Sequence, residues 1–421
     1  MCGFVYSNQN IHEINLGDLE TRGPDDNDSF YNELGFFYHC RLSTRKTNIK
    51  QPAKNKFGIL LYNGTEYSKK ENDVGFILDN LNDNINDNIE FVKTLGGDFS
   101  ICWVTENYIL IAKDCFGTKP LFWSIDNNKF MCASTVQTLE NSGFNTYKLP
   151  ANSIMIFSRK DCKLIKKCEI VEWDLHQGKT NLHNIFDAFE ESVLNQYDKN
   201  CMLHLSSGFD SGGIACCLNK YNKSYTALTF IGTENKEILK ARYQLHTGKK
   251  IFITPKDFES NDNLKNTIYW HNFLMKDSII YDISLIAAQC AKKHSIKVIL
   301  TGTGSDELFS DYGNNSKKLK PHSQFGGKFP EELNTIFPWH LSEDYPMNVD
   351  IPIVDYIDGL YGIDTRHPYL DKKLFQTWLN SDLQIKNVSY KHWLTEYLKL
   401  QKYPFAPNQK IGADNSIVYI T

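Results

Sequence analysis

Ser206, Gly208, Asp210 and Ser211 lie close together in the stretch Leu203-His204-Leu205-Ser206-Ser207-Gly208-Phe209-Asp210-Ser211-Gly212-Gly213-Ile214-Ala215-Cys216-Cys217-Leu218. The stretch opens apolar and alternating, turns through small residues, and resumes as an apolar run of helical character, which predicts strand, tight loop and helix. Such a loop aims backbone N–H groups and the positive end of a helix at one point, an arrangement suited to polyphosphate. Asp210 by itself repels phosphate, so its place there makes chemical sense when it holds a divalent cation. No Lys follows the glycines, which excludes a Walker A loop. The plain alternative is a strand-to-helix turn whose Gly and Ser serve only geometry.

A second strand, Ile296-Lys297-Val298-Ile299-Leu300, runs into Thr301-Gly302-Thr303-Gly304-Ser305-Asp306-Glu307. It is another glycine-rich strand exit with a carboxylate. Two such loops from neighbouring strands can share one magnesium and its polyphosphate, with Asp210 and Asp306 as metal ligands. A second kind of chemistry sits at the other end of the chain. Cys2 follows Met1 directly, and removal of Met1 would leave a thiol and a free α-amine on one residue. The amine can take the thiol's proton, so nucleophile and base come without a neighbouring His. Behind Cys2 stand, in order, Arg22-Gly23-Pro24-Asp25, His39-Cys40-Arg41-Leu42-Ser43, Asn63-Gly64-Thr65-Glu66-Tyr67 and Asn72-Asp73. Singly, each has a plain reading: Arg41 in a surface ion pair, Asn63-Gly64 as a hairpin turn, Asp73 as a helix N-cap.

The elements that must position these residues differ between the two halves. Short alternating strands at Phe36 to His39, Gly58 to Tyr62, Asp98 to Thr105 and Tyr108 to Lys113 predict a layered, mostly β domain. From Asn181 to Tyr197 apolar residues recur at helical spacing, and strand and helix patterns then alternate: Tyr225 to Ile231, Glu237 to His246, Ile251 to Thr254, Tyr281 to Lys293. That alternation predicts a doubly wound parallel sheet, an α/β domain with ligands at the carboxyl ends of its strands. The expected division is residues 1–175 and 176–421.

With 421 residues the chain is too long for one ordinary core. A net charge of −4 gives no support for nucleic-acid or anionic-membrane binding. No apolar run approaches the roughly 18 residues needed to span a bilayer. The N-terminus lacks the basic and apolar regions of a signal peptide, so a cytoplasmic location is expected. The odd count of 11 cysteines and the apolar setting of Cys216-Cys217 read as buried free thiols. Cys and His spacing predicts no structural zinc.

The N-terminal half resembles the class II glutamine amidotransferase domain, an N-terminal-nucleophile fold that hydrolyses glutamine to glutamate and ammonia. The resemblance implies that Cys2 is the nucleophile, that Arg41 binds the glutamine α-carboxylate, that Asn63 and Gly64 donate to the oxyanion, and that Asp73 holds the substrate ammonium. Thr65 joins this glutamine-binding set. The second half, through Ser206-x-Gly208-x-Asp210-Ser211, Gly302-x-Gly304-Ser305-Asp306-Glu307 and Arg366-His367-Pro368-Tyr369-Leu370-Asp371, resembles the ATP-pyrophosphatase domain of glutamine-dependent asparagine synthetases. Here the resemblance implies that Ser206, Gly208, Asp210 and Ser211 bind pyrophosphate and its metal, with Asp306 the second metal ligand. Ile231, Thr301 and Gly302 would surround the nucleoside. Lys410, in Asn408-Gln409-Lys410-Ile411-Gly412, would stabilise charge as pyrophosphate leaves. Lys391 is read as a surface lysine.

There are departures from the family pattern. Thr65 stands where Glu is common, Ala133-Ser134-Thr135 where Ala-Ser-Glu is common, Ser207 for a common Gly, and Thr303 where asparagine synthetases carry Glu. The chain also ends sooner after Lys410 than those enzymes do. A Thr cannot act as a carboxylate base, so Thr303 leaves the acceptor open. The expectation is an ATP- and Mg2+-dependent ligase that amidates a carboxylate, most simply aspartate, with ammonia from glutamine. A sugar acid, peptide or other small carboxylate, or lactam closure, is the alternative, and a non-catalytic glutamine or nucleotide sensor the third reading. Small molecules are the expected partners, with no nucleic acid and no membrane, and a homodimer is compatible with this reading.

Overall fold

The computed structural model describes residues 1–10, 16–45, 49–69, 72–140, 145–232, 234–254, 279–341 and 346–407. Among these, one unit contains Met1–Glu172 and also Ile351–Asp364, and the other contains the remainder from Trp173 on.

The first unit is built on strands β1 (Gly3–Ser7), β2 (Asp26–Asn32), β3 (Gly35–Arg41), β4 (Ala53–Lys54), β5 (Gly58–Thr65), β6 (Asp98–Thr105), β7 (Tyr108–Lys113), β8 (Phe122–Asp126), β9 (Lys129–Ala133), β10 (Thr146–Lys148), β11 (Ser153–Ser158) and β12 (Leu164–Cys168). They form two sheets, ordered β10-β8-β9-β1-β3-β2 and β12-β11-β7-β6-β5-β4. One apolar cluster joins Phe4, Tyr6 and Phe37 of the first sheet to Leu61, Val104 and Ile111 of the second, so the sheets pack face to face. The other face of β1 is covered as well, because Val5 packs with Leu19 and Leu139 from helices Gly17–Arg22 and Gln137–Glu140. That explains why all of β1 is buried rather than alternating. Each large apolar side chain so buried contributes roughly 1.5–3 kcal/mol. The layered β-sandwich is the expected one. Strand β5 runs further than its sequence pattern suggested and places Asn63 and Gly64 inside the ladder opposite Ser100 and Phe99, not in a hairpin turn.

The second unit carries β13 (Cys201–His204), β14 (Thr226–Phe230), β15 (Lys250–Ile253) and β16 (Val298–Leu300) in the order β15-β14-β13-β16, with the strand Asp364–Arg366 beyond β16. The pairs β13–β14, β14–β15 and β13–β16 are parallel. Helix Leu182–Gln196 precedes β13, its start closed by a reciprocal cap between Asn181 and Asn184. Helices Phe209–Lys220, Lys236–Leu245 and Ile279–Lys293 supply the α layers. This is the predicted doubly wound parallel sheet. Its strand order matters for function: β13 and β16 are neighbours, so the loops after them leave from adjacent carboxyl ends.

Candidate active sites

In the first unit, Cys2, Arg41, Gly64, Thr65 and Asp73 line one cleft, together with Arg45. The Cys2 backbone N–H donates to Asn63 Oδ1 at 3.0 Å, and the thiol lies 4.0 Å from the Leu42 carbonyl. Burial chiefly pushes the Cys2 thiol above its ordinary range, against the pull of the N-terminal ammonium. Asn63 is fully buried, and its Nδ2 has no hydrogen-bond partner among the described residues. An orphaned buried amide donor is costly. Beside a nucleophilic atom it is suited to receive charge that develops there. Gly64 has no alternative side chain, because a Cβ would lie 2.1 Å from the Asp98 carbonyl oxygen on the paired strand.

Arg41, at the end of β3, donates to Ser43 Oγ at 3.3 Å and to the Arg45 carbonyl at 3.4 Å. Asp73 opens helix Asp73–Asn80, whose N-cap is the preceding Asn72, accepting from Gly75 N–H at 3.0 Å. The Asp73 carboxyl is held above its usual range, chiefly by burial and against the attraction of Arg45. Thr65 is buried opposite Asp98. The following Glu66 is occupied elsewhere: its Oε2 accepts from the Gly96 and Gly97 N–H groups at 2.8 and 3.2 Å.

Two residues of this site were not assigned a role from the sequence. Arg22 donates through Nε to the Cys2 carbonyl at 3.2 Å and pairs with Asp355 at 2.7 Å, both side chains buried. Its signal was the Arg22-Gly23-Pro24-Asp25 stretch, but its partner lies far along the chain in the segment that returns to this unit. Arg45 binds the Glu66 and Lys69 carbonyls at 3.0 and 3.3 Å, and no spacing marked it.

In the second unit, the loop after β13 folds onto itself. Ser206 N–H and Oγ meet Ser211 Oγ at 2.9 and 2.8 Å, and Gly208 N–H donates to Ser206 Oγ at 3.1 Å. Buried Arg242 binds the Gly208 carbonyl at 2.9 Å and also the Ser206 carbonyl, which holds the loop from behind. Ser207, where the family commonly has Gly, bonds Glu234 through both N–H and hydroxyl. The second loop closes against the first at Gly302, where a Cβ would lie 2.7 Å from the Asp210 Cβ. Thr301 Oγ1 contacts His367 Nδ1 at 2.8 Å and donates to Thr303 Oγ1 at 3.1 Å. Ile231, just beyond β14, is exposed. Lys410 lies outside the described residues.

Asp210 and Asp306 converge on one group, the ammonium of Lys391, paired with Asp210 Oδ1 and lying 3.0 Å from Asp306 Oδ1. This corrects the reading of Lys391 as a surface lysine: its side chain is 2% exposed. Exposure cannot be read from a lone Lys in a polar stretch, and the two carboxylates that bury it come from distant loops. Burial alone would lower the Lys391 ammonium, yet Asp210 and Asp306 outweigh it and hold it above the ordinary lysine range. Burial chiefly raises the Asp210 carboxyl, and Lys391 opposes that. Tyr390 also bonds Asp306 through its hydroxyl.

The donor set suits Mg2+: two hard carboxylate oxygens already gathered around a cation, with the remaining coordination left to phosphate and water. Among the described residues no cluster of three or more His, Cys, Asp or Glu side chains forms a metal site without such outside ligands.

Close by, Asp350 is buried and its carboxyl is pushed up to about 8, first by burial and then by the charge of Glu307. The native state therefore keeps a proton that the unfolded chain loses above its ordinary range near 3.8, so this group removes stability as pH rises from about 4 to about 8. Asp350→Asn should melt with the parent near pH 4 and at least about 2 °C above it at pH 8. Thermal melts of both chains across that range check it.

Two family models match the sequence: one described as asparagine synthase over residues 184–348, and one described as a glutamine amidotransferase domain over residues 55–141. The two matches describe a chain that carries a glutamine amidotransferase-like region followed by an asparagine synthase-like region. The two matches and the relatives that follow support the asparagine synthetase family. It is 25% identical over 347 residues to a candidate glutamine-hydrolysing asparagine synthetase 1 of Methanocaldococcus jannaschii, covering 76% of this chain and 62% of that relative. The glutamine-hydrolysing asparagine synthetase of Gallus gallus is 24% identical, with 91% of this chain and 76% of the relative covered. Asparagine synthetase B of Escherichia coli is 22% identical, with 87% and 71% covered. The chain therefore spans less than two thirds of the M. jannaschii relative's length. No helix among the described residues is long and apolar enough to cross a membrane.

Proposed function

We propose that this chain is a glutamine-hydrolysing, ATP-dependent carbon–nitrogen ligase that adenylates an acceptor carboxylate and amidates it, releasing AMP and pyrophosphate. The observation that carries the reading is the meeting of Asp210 and Asp306, from two adjacent strand exits, at a single cation position. The family match and the Cys2 cleft supply the nitrogen source.

With Met1 removed, the α-amine of Cys2 takes the thiol proton and Sγ adds to the glutamine side-chain carbonyl carbon. Asn63 Nδ2 and Gly64 N–H stabilise the oxyanion. Its collapse expels ammonia, with the proton returned to the leaving nitrogen, and water then hydrolyses the thioester to glutamate. Arg41 binds the substrate α-carboxylate as a planar bidentate donor, and Asp73 binds its ammonium. Arg22 fixes the Cys2 carbonyl, and with it the direction of the residue that attacks.

In the second unit an acceptor carboxylate oxygen attacks the α-phosphorus of ATP and pyrophosphate departs. Ammonia then adds to the acyl carbon and AMP leaves. Activation is required because a free carboxylate is a poor electrophile with a poor leaving group. Asp210 and Asp306 would hold Mg2+, which supplies positive charge to the phosphate oxygens. Ser206, Gly208 and Ser211 orient the leaving pyrophosphate, Thr301, Gly302 and Ile231 lie about the nucleoside, and Lys410 balances charge as pyrophosphate leaves.

Aspartate is the simplest acceptor. Thr303 favours a second reading, because a hydroxyl engaged by Thr301 stands where a carboxylate base is common, and this suits a different small carboxylate. Mass spectrometry of products from amide-15N glutamine, ATP, Mg2+ and aspartate decides: labelled asparagine with stoichiometric AMP supports the aspartate reading. Labelled ammonia and glutamate without asparagine rejects aspartate and leaves the glutaminase. Absence of both glutaminase and ATP–pyrophosphate exchange would overturn the enzyme reading in favour of a sensor.

Loss of the Asn63 donor has a defined expected size. Asn63→Ala should lower kcat for glutamine hydrolysis by about 10²–10³-fold, the usual cost of one oxyanion donor. Ammonia-dependent product formation should stay near the parent rate, and steady-state assays with each nitrogen source check this.

A further inference from the structure

Lys391 is held in an unusual way for an amino acid with a long flexible side chain. Its backbone lies in the left-handed region at φ 48°, at the start of helix His392–Leu400. A non-glycine residue keeps that conformation only where its surroundings over-determine it. Here the buried ammonium is clasped by Asp210 and Asp306, and the neighbouring Tyr390 hydroxyl bonds Asp306 as well. Two carboxylates aimed at one point repel each other strongly unless a cation stands between them. Lys391 is that cation, and its Nζ uses the carboxylate oxygens that a divalent ion would need.

We propose that Lys391 competes with the divalent cation for Asp210 and Asp306, so that metal takes these carboxylates only when nucleotide phosphate accompanies it and receives the displaced ammonium. The inference rests on the reading of Asp210 and Asp306 as metal ligands given above. Charge explains the order. Mg2+ sheds water reluctantly, and a pair of carboxylates already neutralised by an internal ammonium offers it little. A triphosphate brings negative charge enough for both cations, so the ammonium can move from carboxylate to phosphate as the metal enters. Metal and nucleotide would then bind with positive cooperativity, without any change in the protein beyond one side chain and its strained backbone.

The test is Mn2+ binding to the full chain, read as the loss of the free-ion signal in electron paramagnetic resonance, with and without α,β-methylene ATP. The wild type should hold Mn2+ at least about tenfold more weakly without the analogue than with it, the order of a single displaced charge contact. Lys391→Met should hold Mn2+ about tenfold more tightly than the wild type when no nucleotide is added, and Lys391→Arg should behave as the wild type. Circular dichroism checks that the Met variant folds, and a protein-free control subtracts the analogue's own chelation of Mn2+. A folded Met variant that holds Mn2+ no more tightly than the wild type without nucleotide overturns the competition. Wild-type Mn2+ affinity that is unchanged by the analogue, in a chain that binds the analogue, overturns the competition and leaves the nucleotide site intact. A wild type that binds neither the analogue nor Mn2+ overturns the nucleotide-site reading itself, and this inference with it.

Discussion

Cys2→Ala abolishes glutamine-dependent product formation and leaves ammonia-dependent formation near the parent rate. The expected loss is at least about 10³-fold, because removal of a covalent nucleophile leaves only binding and oxyanion contacts to act on the amide. Cys2 is the one thiol that combines a place in the Arg41–Asp73 cleft with a backbone link to Asn63. Others in this unit are structural by position: Cys40 donates to the Leu19 carbonyl, and Cys102 and Cys132 sit in the inter-sheet core. Cys2→Ser should lose nearly as much, since a hydroxyl gives up its proton far less readily than a thiol. The same argument makes the α-amine essential. Intact-protein mass spectrometry of the active preparation should show Met1 absent, and a preparation that retains Met1 should use ammonia and not glutamine. Equal loss with both nitrogen sources in Cys2→Ala would count against two separable sites.

Asp210→Asn should produce the complementary result. Glutamine hydrolysis persists, while ATP–pyrophosphate exchange and synthesis from either nitrogen source fall by at least about 10²-fold, or about 2.7 kcal/mol of transition-state stabilisation. The substitution keeps the size of the side chain and removes its charge. It leaves Lys391 with Asp306 alone and deprives a hard cation of one of its two carboxylates. A structural effect would act differently, because the Asp210 carbonyl, not its carboxylate, accepts from the Tyr369 hydroxyl at 2.8 Å. That anchor survives the change and Asp306 stays paired with Lys391, so the chain should still fold and keep its glutaminase rate while exchange collapses. Parallel measurement of exchange, glutaminase rate and melting separates the two.

The two results together would show how much of the molecule is written locally. The glycine-rich stretch from Ser206 to Gly213 forms its turn from residues adjacent in sequence, and the Ser206–Ser211 contacts close within it. The alternation of strands and helices from Asn181 to Leu300 is local as well, and the parallel sheet follows from it. In the first unit the order Cys2, Arg41, Asn63, Gly64, Thr65, Asp73 pointed to one site, and the cleft gathers Cys2, Arg41, Gly64, Thr65 and Asp73, with Asn63 bound to the Cys2 N–H.

What was missed depends on contacts between residues far apart in the chain. Arg22 reads as one charged residue in a short polar stretch until Asp355 returns to bury it beside Cys2. Lys391 reads as a surface lysine for the same reason. Asn63-Gly64 reads as a turn because Asn-Gly favours one locally, yet pairing with Ser100 and Phe99 keeps β5 extended through it. Most strands and helices, the glycine-rich turn and the chemical groups are legible in the residues, since these answer to spacing and to the preferences of neighbouring residues. Which charges are buried, and against which partners, emerges on packing, because desolvation and pairing are set by groups brought together when distant segments meet.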